Sequence, residues 1–192
     1  GCTGEIVSSK GLIFTNHHCG YGAIASASTV DHNYLRDGFY AKNLNEEIRT
    51  ALTVQFLLRI TDVTKEVNDS LGTLMGKARA DKQSAVLAAI NKRLSNTDEG
   101  IECRISPLFK GNQFLAFIYQ RYRDIRLVGT PQESVGKFGG DTDNWEWPRH
   151  TGDFSVFRVY TSKDGKPADF SAENVPLKPK YFLPVSIRGL KD

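Results

Sequence analysis

Two histidines stand side by side against a cysteine in Thr15-Asn16-His17-His18-Cys19, where a short apolar run ends. An imidazole titrates near neutrality, so it takes a proton from a weak nucleophile and later returns it to a leaving amine. That work needs a carboxylate on the other ring nitrogen, to fix the tautomer and stabilise the imidazolium. Asp153, in Arg149-His150-Thr151-Gly152-Asp153-Phe154, is a candidate because it opens an apolar run and would sit half sheltered at the end of a strand. Taken alone, such an aspartate reads more simply as a residue that ends a turn. A zinc set of His17, Cys19 and His150 is the competing chemistry. Its spacing is poor, because neighbours on a strand point to opposite faces, and no Cys-x-x-Cys or His-x-x-x-His accompanies it. Asp141-Thr142-Asp143-Asn144 echoes the start of a calcium loop, but the required later glycine and glutamate are absent. The expectation is therefore no metal and no cofactor.

The elements that must position these groups are short strands. Residues 2–8 and 12–17 read as a β-hairpin around Ser8-Ser9-Lys10-Gly11, with Gly11 free to take the positive φ of a tight turn. A hairpin brings Cys2 and Cys19 together, so a disulfide between them is geometrically natural and would imply an oxidising compartment. Residues 20–50 read as irregular. Residues 53–63 read as a strand with Phe56, Leu58 and Ile60 on one face. The period then turns helical, at Val63, Val67, Leu71 and Leu74 and again at Val86, Leu87, Ile90 and Leu94. Asn96 to Gly100 ends that stretch, and runs at 114–122, 124–129, 154–160 and 181–187 read as strands. The fold expected is mainly β: one barrel-like domain over 1–192, interrupted by a helical hairpin at about 61–96.

Composition narrows the partners. A formal charge of +3 spread along the 192 residues argues against nucleic acid as the main partner. No run approaches the ~18 apolar residues of a membrane span. The chain starts without Met or a leader-like segment, and reads as an excised piece or a processed chain. Three cysteines give an odd count, which leaves Cys103 without an assigned role.

Cys2, a glycine-containing hairpin and Thr-x-His-His-Cys together resemble the first barrel of trypsin- and chymotrypsin-like serine proteases. The resemblance makes His18 the base, Cys2–Cys19 the bridge and Asp153 the triad aspartate. A closer resemblance joins "TNHHCGYGAI" to "FGGDTDNWEWPRHTGDFS". Together they look like the bacterial dipeptidyl peptidases 7 and 11, serine exopeptidases that release dipeptides from peptide N-termini. That likeness implies a His-Asp-Ser triad across two barrels, a helical cap, Asn144 and Trp145 holding the substrate's free amine, a homodimeric parent and a periplasmic or extracellular location. His17 is then a structural histidine.

The serine is missing from the pattern. No serine here lies in Gly-x-Ser-x-Gly, and Ser134 lacks the flanking glycine that opens an oxyanion hole. The chain is thus expected to be the N-terminal portion of such an enzyme, inactive alone, with its second barrel and nucleophile elsewhere. The alternative is a non-catalytic protease-like barrel that binds peptides.

Overall fold

A computed structural model describes residues 1–138, 140 and 151–189. They fall into two compact units, Gly1–Val54 with Tyr122–Asp192, and Gln55–Arg121. In chain order the elements begin with β1 (Glu5–Ile6), β2 (Leu12–Thr15), α1 (His17–Ala27), α2 (Tyr34–Asp37), β3 (Phe39–Tyr40) and β4 (Ile48–Arg49). There follow β5 (Val54–Asp62), α3 (Thr64–Leu71), α4 (Gly76–Leu94), β6 (Ile101–Leu108) and β7 (Gln113–Tyr122). Last come β8 (Asp124–Thr130), α5 (Glu133–Gly136), β9 (Ser155–Thr161) and β10 (Val175–Pro176). The mainly β class expected from the sequence holds, as two antiparallel sheets with a few helices.

In the first unit the strands pair in the order β1-β2-β9-β8-β3, with β10 against β9 and β4 against β8. The predicted hairpin is its edge, and β2 then pairs along β9 with Ile13 opposite Phe157 and Thr15 opposite Ser155. Alternation along β8 and β9 sorts their side chains by face. One face carries Ile125, Leu127, Phe157 and Val159, all buried, and α1 packs there through its own buried Ile24. Gly20 permits the close approach, since a Cβ on it would lie 2.6 Å from Ser155 Oγ and 2.9 Å from the Phe157 ring.

The other face carries Asp124, Arg126, Arg158 and Tyr160, whose polar groups pair. Asp124 accepts from Arg126 Nε at 3.1 Å and Nη2 at 2.8 Å, and from Asn174 Nδ2 at 2.9 Å. The Arg126 guanidinium stacks 3.7 Å from the centre of the Tyr160 ring. Tyr160 Oη donates to Glu47, whose other oxygen takes Arg158 Nε at 2.8 Å. Burial first, and then the bond and charge of Glu47, push the Tyr160 phenol well above its usual range. With every charge matched, the network ties residues 169–174 and the turn before β4 to the central strands.

In the second unit β5, β7 and β6 form a three-stranded sheet. Phe114 and Ala116 on β7 meet Val63, Val67, Leu71 and Ile90 in one buried cluster, as the helical periodicity predicts. Cys103 packs at its margin as a free thiol, and burial pushes its pKa up. On β5, however, Leu58 and Ile60 are 54% and 51% exposed, so the expected apolar face is only partly covered.

Two local readings change. Residues 20–50 are not irregular throughout, because α1 runs to Ala27 and α2 follows. Its sequence HHCGYGAIASA is weakly helical by propensity, and packing on the sheet supplies the missing stability. Residues 181–187 form no strand. Their apolar alternation is real, but Pro184 lacks a donor and a single bond, Leu183 N–H to the Ile6 carbonyl at 2.8 Å, ties them to β1.

The buried charge network makes a stability prediction. Asp124→Ala leaves the Arg126 guanidinium without its carboxylate and should cost about 3–5 kcal/mol in urea unfolding.

Candidate functional site

The site is assembled where β2 ends, α1 begins and β9 is entered. Asn16 is the residue before the helix, in extended backbone, yet its side chain caps nothing. The capping group comes from across the sheet. Asp153 Oδ1 accepts the His18 backbone N–H at 3.1 Å, satisfying one of the donors that a helix start leaves open. Asn16 Nδ2 donates to Asp153 Oδ2 at 3.1 Å and to its carbonyl at 3.3 Å. Ser155 Oγ donates to the Asn16 carbonyl at 2.8 Å. These bonds hold the carboxylate in place independently of the imidazole.

The imidazole supplies a further contact. His18 Nδ1 lies 2.9 Å from Asp153 Oδ2. The His18 side chain is 69% exposed and the Asp153 side chain 28% exposed, so the ring faces solvent while its carboxylate is partly sheltered. Burial alone would raise the Asp153 pKa. The amide and ring of His18, its charge, and the His17 amide outweigh this and hold the carboxyl below its usual range. It is therefore ionised at neutral pH, and Nδ1 is the nitrogen that carries the proton toward it. His18 Nε2 makes no hydrogen bond among the described residues and is left as an acceptor. An open recess of about 550 Å³, lined by Cys2, Phe14, Asn16, His18, Cys19 and Asp153, lies beside the pair.

The Cys2–Cys19 disulfide is closed, with a Cα–Cα distance of 5.9 Å. It fastens the chain ahead of β1 to the first turn of α1, immediately after His18.

His17 and His18 differ as the sequence suggests, but for another reason. They lie on the first turn of a helix, not on a strand, and are separated by a rotation of about 100°. His17 therefore joins Gly20 and Ile24 on the inward face and is 1% exposed. Its ring lies edge-on to Tyr21 at 6.0 Å and covers Gly136, where a Cβ would come within 2.5 Å of His17 Cγ. Its Nε2 is buried with no partner among the described residues. Tyr21 Oη in turn donates to Glu133 at 3.3 Å, and the Gly152 N–H donates to the Val135 carbonyl at 2.9 Å. Thus α5 is seated on α1, with His17 as the seat. The sequence held a signal for this in Gly136, which no turn chemistry required.

Of the other anticipated residues, Asn144, Trp145 and His150 lie outside the described residues. The zinc set of His17, Cys19 and His150 loses two of its ligands to other duties, because His17 is packed on Gly136 and Cys19 is in the disulfide.

His18 is thus held by a carboxylate beside a disulfide and an open recess. The family model for Peptidase S46 matches residues 1–192, and the chain belongs to that family. Among its relatives, a dipeptidyl-peptidase 7 of Capnocytophaga gingivalis is 49% identical over 195 residues, covering 100% of this chain and 27% of the relative. An Asp/Glu-specific dipeptidyl-peptidase of Flavobacterium psychrophilum is 46% identical over 195 residues, with the same coverage. Among solved structures, the Porphyromonas endodontalis DPP11 crystal structure in complex with substrate superposes with a TM-score of 0.88 at 43% identity, covering 100% of this chain and 29% of that one. The chain thus spans a little over a quarter of the length of the relatives it matches.

Two stability predictions follow from the seat. Burial, its largest cause, lowers the His17 pKa below 6.5, despite the opposing charges of Asp153 and Glu133, with His18 adding to the lowering. Folding then favours the neutral ring. The stability it contributes is complete above pH 6.5 and is lost as pH falls below that value toward the folded pKa. Thermal melts of the protein should fall across that range, and His17→Leu should flatten the loss. Gly136→Ala, which drives a methyl into the ring, should destabilise by about 1–3 kcal/mol in the same melts.

Proposed function

We propose that His18 is the general base, and Asp153 the orienting carboxylate, of a serine-type dipeptidyl peptidase with a chymotrypsin-like barrel. The carrying observation is the 2.9 Å contact between His18 Nδ1 and an Asp153 carboxylate that is already fixed by Asn16 and the start of α1. With Nδ1–H given to Asp153, Nε2 takes the proton of a serine as it attacks the scissile carbonyl. The imidazolium so formed is stabilised by the carboxylate and then protonates the leaving amine. The serine lies in sequence that the relatives carry beyond the matched quarter.

The substrate is a peptide with a free N-terminus, cut after its second residue. Asn144 and Trp145 supply part of the subsite for the terminal ammonium, an amide oxygen accepting from it beside an indole wall. Relatives named for both dipeptidyl-peptidase 7 and Asp/Glu-specific activity match along the whole chain. The choice between apolar and acidic side chains is accordingly made outside the matched quarter. The Cys2–Cys19 bridge favours a periplasmic or extracellular location. The parent works as a homodimer, as the family resemblance implies.

The test is release of dipeptides from fluorogenic substrates by the full-length protein. Asp153→Asn should keep the helix cap and the fold yet lower kcat by about 10⁴-fold, because the amide stabilises the wrong tautomer. His18→Ala should lower it by about 10⁶-fold. The 192-residue chain alone should release nothing. Undiminished turnover in His18→Ala would sink the assignment, and peptide binding without turnover in the full-length parent would favour a binding barrel instead.

A further inference from the structure

Asn16 stands where a helix cap is expected and does not cap. Asparagine is among the residues that best close a helix start, by accepting an amide of the first turn. Here its side chain makes no such bond, and Asp153 Oδ1 takes the His18 amide in its place. The Asn16 amide is spent on the carboxylate instead, with Nδ2 3.1 Å from Asp153 Oδ2 and 3.3 Å from the Asp153 carbonyl. Both partners are acceptors, so only the amide nitrogen suits that place. We propose that Asn16 is a positioning residue of the acid–base pair, acting through Asp153 to hold the His18 ring and serving turnover rather than folding.

The shared oxygen carries the argument. Oδ2 accepts from Asn16 Nδ2 and also from His18 Nδ1 at 2.9 Å, so the oxygen that aims the ring is itself aimed by Asn16. Without that amide the carboxylate keeps Oδ1 on the His18 N–H and can pivot about that bond. The Asn16 bond also persists while the ring gains and loses its proton, so the carboxylate does not have to be repositioned within a cycle.

The anchoring of Asn16 fits the same role. Its carbonyl accepts Ser155 Oγ at 2.8 Å and the Gly20 N–H at 3.3 Å. Ser155 is fully buried and lies opposite Thr15 in the pairing of β2 with β9. The Asn16 backbone is thus fixed from the interior, while its side chain lies at the exposed surface. Bonds open to water replace bonds to water at little net gain in stability, so the side chain adds more to geometry than to folding. Ser155 belongs to the same device one step further back, through the Asn16 backbone.

This role rests on the peptidase reading, so the experiment includes His18→Ala. Dipeptide release by the full-length protein is measured across pH, beside thermal melts of each variant. Asn16→Ala should lower kcat by about 10²-fold with KM unchanged, and should melt close to the wild type because no cap is lost. Ser155→Ala should lower kcat less, by up to about 10-fold. Asn16→Asp keeps the shape, but its carboxyl donates to Asp153 only while protonated. Two carboxyls so close hold one proton between them to a higher pH than either would alone. The kcat of Asn16→Asp relative to the wild type should therefore rise as pH falls, and that of Asn16→Ala should not. His17 on α1, Glu133 on α5 and Glu5 on β1 also titrate about this corner, but they are common to every variant. Wild-type kcat in Asn16→Ala, with His18→Ala inactive, would overturn the proposal and leave the peptidase reading intact. Loss of turnover matched by loss of fold in the melts, or the same pH trend in both Asn16 variants, would overturn it too. Undiminished turnover in His18→Ala would remove the reading and the proposal together.

Discussion

The structure around the site depends on one carboxylate. Asp153 lies 135 residues from His18 in sequence, yet it closes the first turn of α1 and holds the His18 ring in the same act. Each bond constrains the others. Because Oδ1 is taken by a backbone amide that cannot rotate, Oδ2 is left aimed at Asn16 Nδ2 and His18 Nδ1. Burial of the carboxylate works against its charge, and donors from helix and ring more than compensate. A carboxylate that is kept ionised and immobile by its own scaffold is what an acid–base histidine requires, since any freedom in it would be lost as ring orientation.

The same geometry explains why two adjacent histidines divide their labour. A helix start turns successive side chains by about 100°, so one ring can point into the core while the next faces solvent. His17 is desolvated and held neutral, and it acts as a surface on which Gly136 and α5 rest. His18 is exposed and bonded to a carboxylate. The disulfide adds a second fastening one residue later, so the His18 backbone is flanked on one side by the Asp153 bond and on the other by Cys19.

Much of this was legible in the sequence, for physical reasons that can be traced. The hairpin, the strands 114–122, 124–129 and 154–160, and both helices of the second unit follow from periodicity, because each buries one face and must repeat its apolar residues accordingly. The pairing of Cys2 with Cys19 follows from the hairpin's closure. What periodicity could not reveal was α1, whose two glycines and short side chains carry little helical preference and whose cap is supplied by a distant residue. Short strands such as β3, β4 and β10 have only two residues each, too few to show any alternation. The run at 181–187 misled in the opposite direction: it alternates like a strand, but pairing requires a partner edge, and β1 offers it a single bond.

The misreading of α1 leaves the proposed role of His18 unchanged. On a strand, adjacent residues face opposite sides, and on a helix they face sides a quarter-turn or more apart. Either geometry forbids both imidazoles from meeting one carboxylate, so the choice was always between them. The proposed choice rests on the neighbours that each ring must accept. Gly136 gives His17 a flat surface with no room for a side chain, which suits a ring that only packs. Asp153 and Asn16 give His18 a fixed set of polar groups, which suits a ring that must keep its orientation while a proton comes and goes. The conclusion therefore rests on what surrounds each histidine, and not on the element that carries them.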